Sequence, residues 1–269
     1  MKRVQFIELE DLPWVPAIVR DGGTDLLDLL FAQVGFYRGL VDRLRGLIAA
    51  TGERRLVDLC SGGGGGAIAM RALLRDDERA SLSWTLTDRY PNDAAIARVA
   101  ALGDPGVTYH RAPNDALAPS AELRGIRTMY GALHHFDPAM VRRLLQRAVD
   151  DRAPLAFFDV AASPALRRVP LPLAPLFGVV NAVFLVPLTL LLTPFVRPLR
   201  ASRLALTYLL PAIPILFAWD GTVSAMRAYT PEELLEIARS VRGADTYEWE
   251  ATRSGAALSL IGRPKAEAA

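Results

Sequence analysis

Short apolar runs recur along the chain, and helix-like patterns separate most of them. Such runs are typical of buried strands in a parallel sheet. Five runs are candidates for strands of one sheet: residues 56–59, 82–87, 107–110, 126–130 and 155–160. Two β-like runs near the end, residues 246–252 and 257–261, are joined through Ser254-Gly255 and predict a hairpin. The order predicts an α/β fold with a doubly wound, mostly parallel seven-stranded sheet and a C-terminal antiparallel hairpin.

Helix signals divide the rest of the chain. Asp137 and Pro138 suit the N-cap and first position of one helix, and Thr230 and Glu233 have capping-box spacing for another. Residues 6–50 carry a further helical pattern, which we expect to form a wall of the site. Four parts are therefore predicted: an N-terminal helical cap (1–52), the sheet core (53–160), a hydrophobic helical insertion (161–225), and a helix and hairpin that complete the core (226–269).

A run of glycines, residues 62–66, follows the first apolar strand and precedes an apolar helix. This order places backbone N–H groups and the positive end of a helix beside a ligand. Glycine suits the position because a Cβ would hold the ligand away from the backbone. A flexible linker is also glycine-rich, but the strand before the run and the helix after it favour a binding loop.

Composition narrows the function classes. With 269 residues, 51% of them hydrophobic, the chain can bury one sizeable core. The net charge of +2 gives no sign of nucleic-acid binding, and we predict none. Cys60 is the single cysteine, which excludes an internal disulfide and fits a reducing cytoplasm. Acidic residues interrupt the apolar region after Met1-Lys2-Arg3, so we expect no signal peptide. No Cys/His cluster has metal-site spacing, so we predict no metal.

Residues 169–196 carry no charge and are long enough to cross a bilayer, and residues 204–219 form a second uncharged run. Two crossings would place Arg197, Arg200 and Arg203 outside, against the positive-inside tendency, and prolines interrupt both runs. Two compatible interpretations stay open. In the first, the segment lies in the membrane interface with its arginines on anionic headgroups. In the second, it covers the carboxyl edge of the sheet and forms an apolar wall of the site for a hydrophobic substrate. A third interpretation is buried core without functional meaning. We expect a cytoplasmic protein, peripheral on the inner membrane face if residues 169–219 contact lipid.

The order of elements resembles the class I S-adenosylmethionine-dependent methyltransferases, which have a Rossmann-like fold. The resemblance covers about residues 53–160 and 226–265. Residues 217–221 and 229–231 also look like an uncharacterised bacterial subgroup with an apolar insertion. In that family the glycine loop holds the methionine part of the cofactor, and an acid after the second strand binds its ribose. The resemblance implies S-adenosyl-L-methionine as cofactor and these cofactor-binding residues: Asp58, Ser61, Gly62, Gly64, Asp88, Asn114 and Asp115.

Each acid in this set has a second interpretation. Asp88 suits two vicinal ribose hydroxyls, because one carboxylate accepts two charge-assisted hydrogen bonds. It also suits a turn with Pro91-Asn92. Asp58 either binds the cofactor or orders the glycine loop, and Asp115 is equally well a turn acid. Cys60 occupies the position where the family usually has its first glycine, so we expect the loop to bend differently.

His134 and His135 follow the fourth strand and are the candidate catalytic bases, because histidine titrates near neutral pH. The alternative is a buried hydrogen-bonded histidine beside a helix cap. The predicted function is S-adenosylmethionine-dependent methyl transfer to a small hydrophobic or membrane-associated acceptor. A non-catalytic, membrane-associated cofactor-binding scaffold or regulator is an alternative. An NAD-dependent oxidoreductase is another, since an acid after the second strand also suits the ribose of NAD. The final hairpin argues against the oxidoreductase.

Overall fold

The structure of the protein, a computed structural model, describes residues 3–91 and 93–266. Within these ranges one sheet runs in the order β3-β2-β1-β4-β5-β7-β6. The first five strands are parallel, and β7 and β6 are antiparallel. The strands are β1 (Arg55–Asp58), β2 (Ser83–Leu86), β3 (Val107–Tyr109), β4 (Ile126–Tyr130), β5 (Leu155–Val160), β6 (Tyr247–Ser254) and β7 (Ala257–Pro264). The predicted α/β fold and its closing hairpin are confirmed.

Helices precede, connect and extend this sheet. They are α1 (Ala17–Val34), α2 (Val41–Thr51), α3 (Gly65–Ala72), α4 (Asp76–Ala80), α5 (Asp93–Ala101), α6 (Pro138–Asp150), α7 (Pro164–Arg168), α8 (Ala174–Leu192), α9 (Ala201–Tyr208), α10 (Ala212–Arg227) and α11 (Pro231–Arg239). The predicted starts of α6 and α11 are confirmed. Asp137 Oδ1 accepts the backbone N–H of Met140 at 2.8 Å, and Thr230 Oγ1 accepts that of Glu233 at 3.2 Å.

Apolar layers cover both faces of the sheet. Phe158 packs into the layer formed with α2, α3 and α5, and Phe157 packs into the layer formed with α6 and α11. Both rings are almost fully buried. A central parallel strand buries successive side chains on opposite faces, which is why the sequence of β5 is almost continuously apolar.

The insertion between β5 and α11 contains α7 to α10. Helix α8 packs on α10, where Asn181 Nδ2 donates to Thr222 Oγ1 at 3.0 Å. By length and composition, Ala174–Phe195 could cross a membrane. Only 11% of its apolar window is buried, so the interpretation as buried core is wrong for this helix. The α9 and α10 pair is bent by 73° and passes the same test only if taken as one broken span. One side of α8 exposes an apolar stripe: Leu176, Val179, Val180, Val183, Phe184, Leu190 and Leu191.

The arginines between the two uncharged runs do not share one environment. Arg203 is 3% exposed. It donates to Asp25 Oδ2 of α1 at 2.7 Å and to the backbone carbonyl of Val196 at 2.8 Å. The expectation that all three arginines face anionic headgroups is therefore wrong for Arg203. The guanidinium can be buried here because a carboxylate and backbone carbonyls accept from both of its Nη atoms, although its Nε has no hydrogen-bond partner among the described residues. Arg197 is exposed.

Candidate cofactor and acceptor site

The glycine loop joins β1 to α3 at the carboxyl edge of the sheet. Gly62 and Gly64 have φ angles of 49° and 84°, in the left-handed region that favours glycine. Cys60 has a φ of 58°, so the cysteine adopts a backbone conformation that normally favours glycine. Gly66 marks a close approach, because a Cβ there would lie 2.4 Å from Tyr130 Cβ on β4. The loop and the start of α3 thus lie directly against the sheet.

Asp58 lies under this loop. Its Oδ2 accepts the Ser61 hydroxyl at 2.6 Å, and its Oδ1 accepts the Thr128 hydroxyl at 2.9 Å. Burial raises the pKa of Asp58 to about 7, although the two hydroxyl hydrogen bonds oppose this shift. The geometry supports the interpretation in which Asp58 orders the loop, here through a hydroxyl and not through the glycine amides.

Asp88 follows β2 and faces the loop from the other side. Its Oδ2 accepts the N–H of Gly62 at 2.9 Å, and its Oδ1 accepts the N–H of Tyr90 at 2.8 Å. It therefore begins a turn and also fixes the loop. Asn92, the last residue of the predicted turn with Pro91, lies outside the described residues. Because Asp88 lines the large cavity beside the loop, its carboxylate remains accessible to a ligand.

Asn114 and Asp115 serve the loop after β3. The buried Asn114 donates to Thr87 Oγ1 at 2.9 Å and accepts the N–H of Ser120 at 3.0 Å. Asp115 Oδ1 accepts the N–H of Leu117 at 2.9 Å. Both side chains satisfy nearby groups in this loop and the neighbouring strand end, and neither is among the residues that line the large cavity.

The large cavity, about 560 Å³, lies between the glycine loop and α1. Its volume is in the usual range for a small-molecule site. Of the predicted cofactor-binding residues, Ser61, Gly62 and Asp88 line it. The others lie behind or beside it: Asp58, Gly64, Asn114 and Asp115.

Two charged residues of the cavity wall that lie against the glycine loop, Asp28 and Arg98, are among those not predicted from the sequence. Asp28 of α1 packs against the loop so closely that a Cβ on Gly65 would lie 1.9 Å from its Oδ1. Arg98 of α5 donates to the carbonyl of Gly63 at 3.2 Å and to Asp25 Oδ1 at 2.9 Å. No local signal marks either residue, because only the tertiary fold brings α1 and α5 to the loop.

His134 is buried and held by β5. Its Nδ1 lies 2.8 Å from Asp159 Oδ1, and its backbone N–H donates to Asp159 Oδ2 at 2.6 Å. Because a carboxylate accepts hydrogen bonds, it favours the tautomer of the neutral ring that carries its proton on Nδ1. In that tautomer Nε2 has a free lone pair. Nε2 lies 3.7 Å from Glu8 Oε1. A histidine positioned in this way can accept a proton at Nε2.

His135 has a more acidic environment. Its Nδ1 lies 3.2 Å from Asp11 Oδ1, and its Nε2 lies 3.3 Å from Glu8 Oε2 and 3.5 Å from Glu10 Oε1. Burial lowers the pKa of His135, but the hydrogen bond to Asp11 and the charges of Glu8 and Glu10 outweigh burial and raise it to about 9. An imidazolium cannot accept a proton, so His135 is the poorer candidate base at neutral pH.

The N-terminal segment brings these acids to the histidines. Asp220 of α10 accepts the backbone N–H groups of Leu9 at 2.6 Å and Glu10 at 3.1 Å, which fixes the segment across the site. Glu8, Glu10 and Asp11 were not predicted as site residues from the sequence. Their clustering was the available signal, but it served only to argue against a signal peptide.

A second cavity of about 250 Å³ lies behind the histidines. Apolar residues of α1, α8 and α10 line most of it, among them Leu30, Phe31, Leu185, Leu216 and Phe217. His134, Asp159 and Asp220 form part of its polar end. His135 and Glu10 line both cavities, so His135 lies at their junction, and His134 lines the smaller cavity beside it.

Comparison with known proteins agrees with this architecture. No protein-family model matches the sequence, and no curated protein matches it significantly. Among solved structures, the chain is similar to an O-methyltransferase family protein from Burkholderia thailandensis. The TM-score is 0.51 at 14% identity, over 90% of this chain and 59% of that one. Human N-acetylserotonin methyltransferase, solved in complex with SAM, gives 0.51 at 13% identity, over 95% of this chain and 61% of that one.

The fold is that of these methyltransferases. This chain spans about three fifths of the length of either protein, 59% and 61%. At 14% and 13% identity the likeness concerns the fold, and the chemistry has to be argued from the residues of this chain.

Proposed function

We propose that the protein is an S-adenosylmethionine-dependent methyltransferase that acts on a small hydrophobic acceptor. The observation that carries the proposal is the position of the histidine pair. His135 lines both the cavity of the glycine loop and the apolar cavity, and the adjacent His134 lines the apolar cavity. The methyltransferase fold of the two solved structures, one of them in complex with SAM, supports the same function.

The residues on the wall of the large cavity fit this cofactor. Asp88 would accept the ribose hydroxyls, and the glycine loop leaves room for close approach of the methionine part. Asp28, against the loop, offers a carboxylate to an ammonium group. When bound, S-adenosylmethionine supplies a methyl group already activated by the sulfonium sulfur.

The remaining chemistry belongs to the chain. For a hydroxyl acceptor, Nε2 of His134 would take the proton from the acceptor oxygen, and Asp159 would stabilise the resulting imidazolium. The apolar walls of the smaller cavity would exclude water and align the acceptor. The size of this cavity, about 250 Å³, favours a small or slender acceptor group.

The position of α8 supports a contact with the membrane. Leu185 lines the smaller cavity, while Val183 and Phe184 of the same helix are 64% and 69% exposed. One helix therefore lies between the acceptor cavity and the outer surface. An exposed apolar stripe of this length is typical of an interaction surface. We propose that it lies in the interface of the cytoplasmic membrane face and that the acceptor is membrane-associated.

Calorimetric titration with S-adenosylmethionine, S-adenosylhomocysteine and NAD tests the cofactor. We expect the first two to bind and NAD to give no heat of binding. Turnover is then measured on a panel of lipid and quinone-like acceptors. Cofactor binding without turnover on any acceptor favours the scaffold or regulator. Binding of NAD alone would favour the oxidoreductase, and no binding at all would contradict the cofactor proposal.

Flotation with anionic lipid vesicles tests the membrane contact. We expect the wild type to float and a Val183→Ser, Phe184→Ser double variant to stay in the dense fraction. Leu102→Ser is the matched control, because Leu102 is 48% exposed and lies beyond α5, outside the insertion. A wild type that does not float contradicts the membrane contact. Light scattering then shows whether a second copy of the chain covers the stripe.

A further inference from the structure

We propose that Glu8, His134 and His135 bind a divalent transition-metal ion such as Zn²⁺ at the junction of the two cavities. The site itself stands on the geometry of these residues, and the role given to the metal rests on the proposed function. The sequence spacing predicted no metal site. The spacing of residues along the sequence could not reveal the site, because Glu8 is far from the two histidines in sequence and only the fold of the N-terminal segment brings it next to them.

The ligand atoms converge as a metal site requires. One ligand atom from each residue can be chosen so that all lie within 4.8 Å of one another. His135 Nε2 lies 3.3 Å from Glu8 Oε2, and His134 Nε2 lies 3.7 Å from Glu8 Oε1. Zn²⁺ binds imidazole and carboxylate at about 2.0–2.2 Å, which places neighbouring ligands of a tetrahedral ion about 3.3 Å apart. The side chains need only small shifts to reach this geometry.

Both histidines are oriented by carboxylates on their other nitrogen. His134 Nδ1 lies 2.8 Å from Asp159 Oδ1, and His135 Nδ1 lies 3.2 Å from Asp11 Oδ1. A metal-binding histidine commonly donates its other ring N–H to a carboxylate, which fixes the ring and the tautomer. Here that arrangement occurs twice, and both Nε2 atoms face the same glutamate.

Glu8 supplies an independent indication of a ligand. The residue is 1% exposed. Its Oε1 accepts the Ser224 hydroxyl at 3.1 Å and lies 3.1 Å from Arg227 Nη1. Its Oε2 is buried and has no hydrogen-bond partner among the described residues. The nearest nitrogen to this oxygen is His135 Nε2 at 3.3 Å, which makes no hydrogen bond to it, and a metal ion between the two atoms would satisfy the buried carboxylate.

Charge also favours a cation. Four carboxylates contact the two rings, while a single described guanidinium, that of Arg227, does so. The acids are Glu8, Glu10, Asp11 and Asp159. Arg227 Nη1 lies 3.1 Å from Asp11 Oδ2, 3.1 Å from Glu8 Oε1 and 3.5 Å from His135 Nδ1. It therefore offsets part of the negative charge of these two acids, while Glu8 Oε2 is left to face His135 Nε2.

Three protein ligands leave a coordination position open, as in catalytic zinc sites. An acceptor hydroxyl bound there would release its proton to water, and the metal would hold the resulting oxyanion for methyl transfer. His134 would then act as a ligand and would not take the proton. The two modes of activation differ in their sensitivity to chelators.

Metal binding is measured with tag-free, chelator-treated protein and Co²⁺ as the probe. We expect one equivalent of Co²⁺ with visible absorption bands of low-symmetry coordination, and displacement of Co²⁺ by Zn²⁺. Glu8→Gln and His135→Ala should each weaken Co²⁺ binding by more than about tenfold. His110→Ala removes the remaining histidine of the chain and should change nothing. Circular dichroism of each variant checks that it is folded.

The outcomes separate this proposal from the proposed function. Absence of a stoichiometric Co²⁺ site overturns the metal proposal, and so does equal binding by wild type and both ligand variants. In that case S-adenosylmethionine binding and chelator-resistant turnover would still support methyl transfer with His134 as base. Conversely, a Co²⁺ site in a protein that binds no S-adenosylmethionine would keep the metal site and overturn its role.

Discussion

Replacing Asp88 by alanine removes the carboxylate proposed to bind the ribose. Hydrogen bonds to a charged group contribute about 1.5–3 kcal/mol each, so two ribose contacts are worth roughly 3–6 kcal/mol. Asp88 is half-buried, and solvent screening places the effect near the lower end. About 3 kcal/mol corresponds to a roughly 100-fold weaker binding of S-adenosylmethionine. The Gly62 N–H, 2.9 Å from Oδ2, also loses its acceptor, so the loop loses a restraint.

Calorimetric titration of folded variants measures this loss. Asp88→Asn separates the two contributions, because it keeps an acceptor for the loop but not the charge. We expect it to bind between wild type and Asp88→Ala. Asp115→Ala is the matched control, since that carboxylate accepts the N–H of Leu117 away from the cavity. Affinity of Asp88→Ala within about twofold of wild type would show that this carboxylate does not bind the ribose.

Three further predictions concern stability. Gly66→Ala should lower Tm by about 2–5 °C, because the added methyl group would overpack against β4. Gly46→Ala is the control: it lies on the exposed side of α2 with open space around it and should raise Tm slightly. Equal shifts of Tm in the two variants would contradict the close approach of Gly66 to β4. Arg203→Met should lower the free energy of unfolding in urea by about 3 kcal/mol, since it leaves a buried carboxylate, Asp25, with fewer partners; a loss below about 1 kcal/mol would contradict burial of the pair. Folding raises the pKa of Asp58 from 3.8 to about 7, so this group stabilises the fold at low pH and loses that contribution as pH rises toward 7. Relative to Asp58→Asn, the wild type should lose about 1.4 kcal/mol per pH unit across that window, and a constant difference would refute the burial argument.

Local signals predicted the sheet well. β4 and β5 have the predicted bounds, and β5 was the clearer of the two because it is an almost continuous apolar run, whereas β4 carries Arg127 and Thr128 within it. The starts of α6 and α11 were predictable for a similar reason. Asp137 and Thr230 each satisfy a backbone N–H only three residues away, so the information lies within one helical turn.

The insertion was less predictable, because a helix that is apolar on all sides has no hydrophobic periodicity to indicate which side is buried. Packing on α10 determines which side of α8 is exposed, and an ion pair with Asp25 of α1 determines where Arg203 lies. The residues of the site were hard to predict for the same reason, since tertiary contacts decide which side chains face the cavity. Asn114 and Asp115 have the residue types of a binding segment, but nearby loop groups already use their side chains.

The carboxylate of Asp25 is shared by two parts of the molecule. Its Oδ1 accepts a hydrogen bond from Arg98, which also donates to the Gly63 carbonyl of the glycine loop, and its Oδ2 accepts one from Arg203 of the insertion. Arg200 Nη1 lies 3.6 Å from the same Oδ2. Cations that share one carboxylate interact energetically, since each changes the strength with which the carboxylate binds the others. Thermodynamic linkage makes such coupling reciprocal. Any effect of lipid bound at α8 on the affinity for the cofactor that passes through this carboxylate is therefore matched by an equal effect of the cofactor on the affinity for lipid, with no contact between the two.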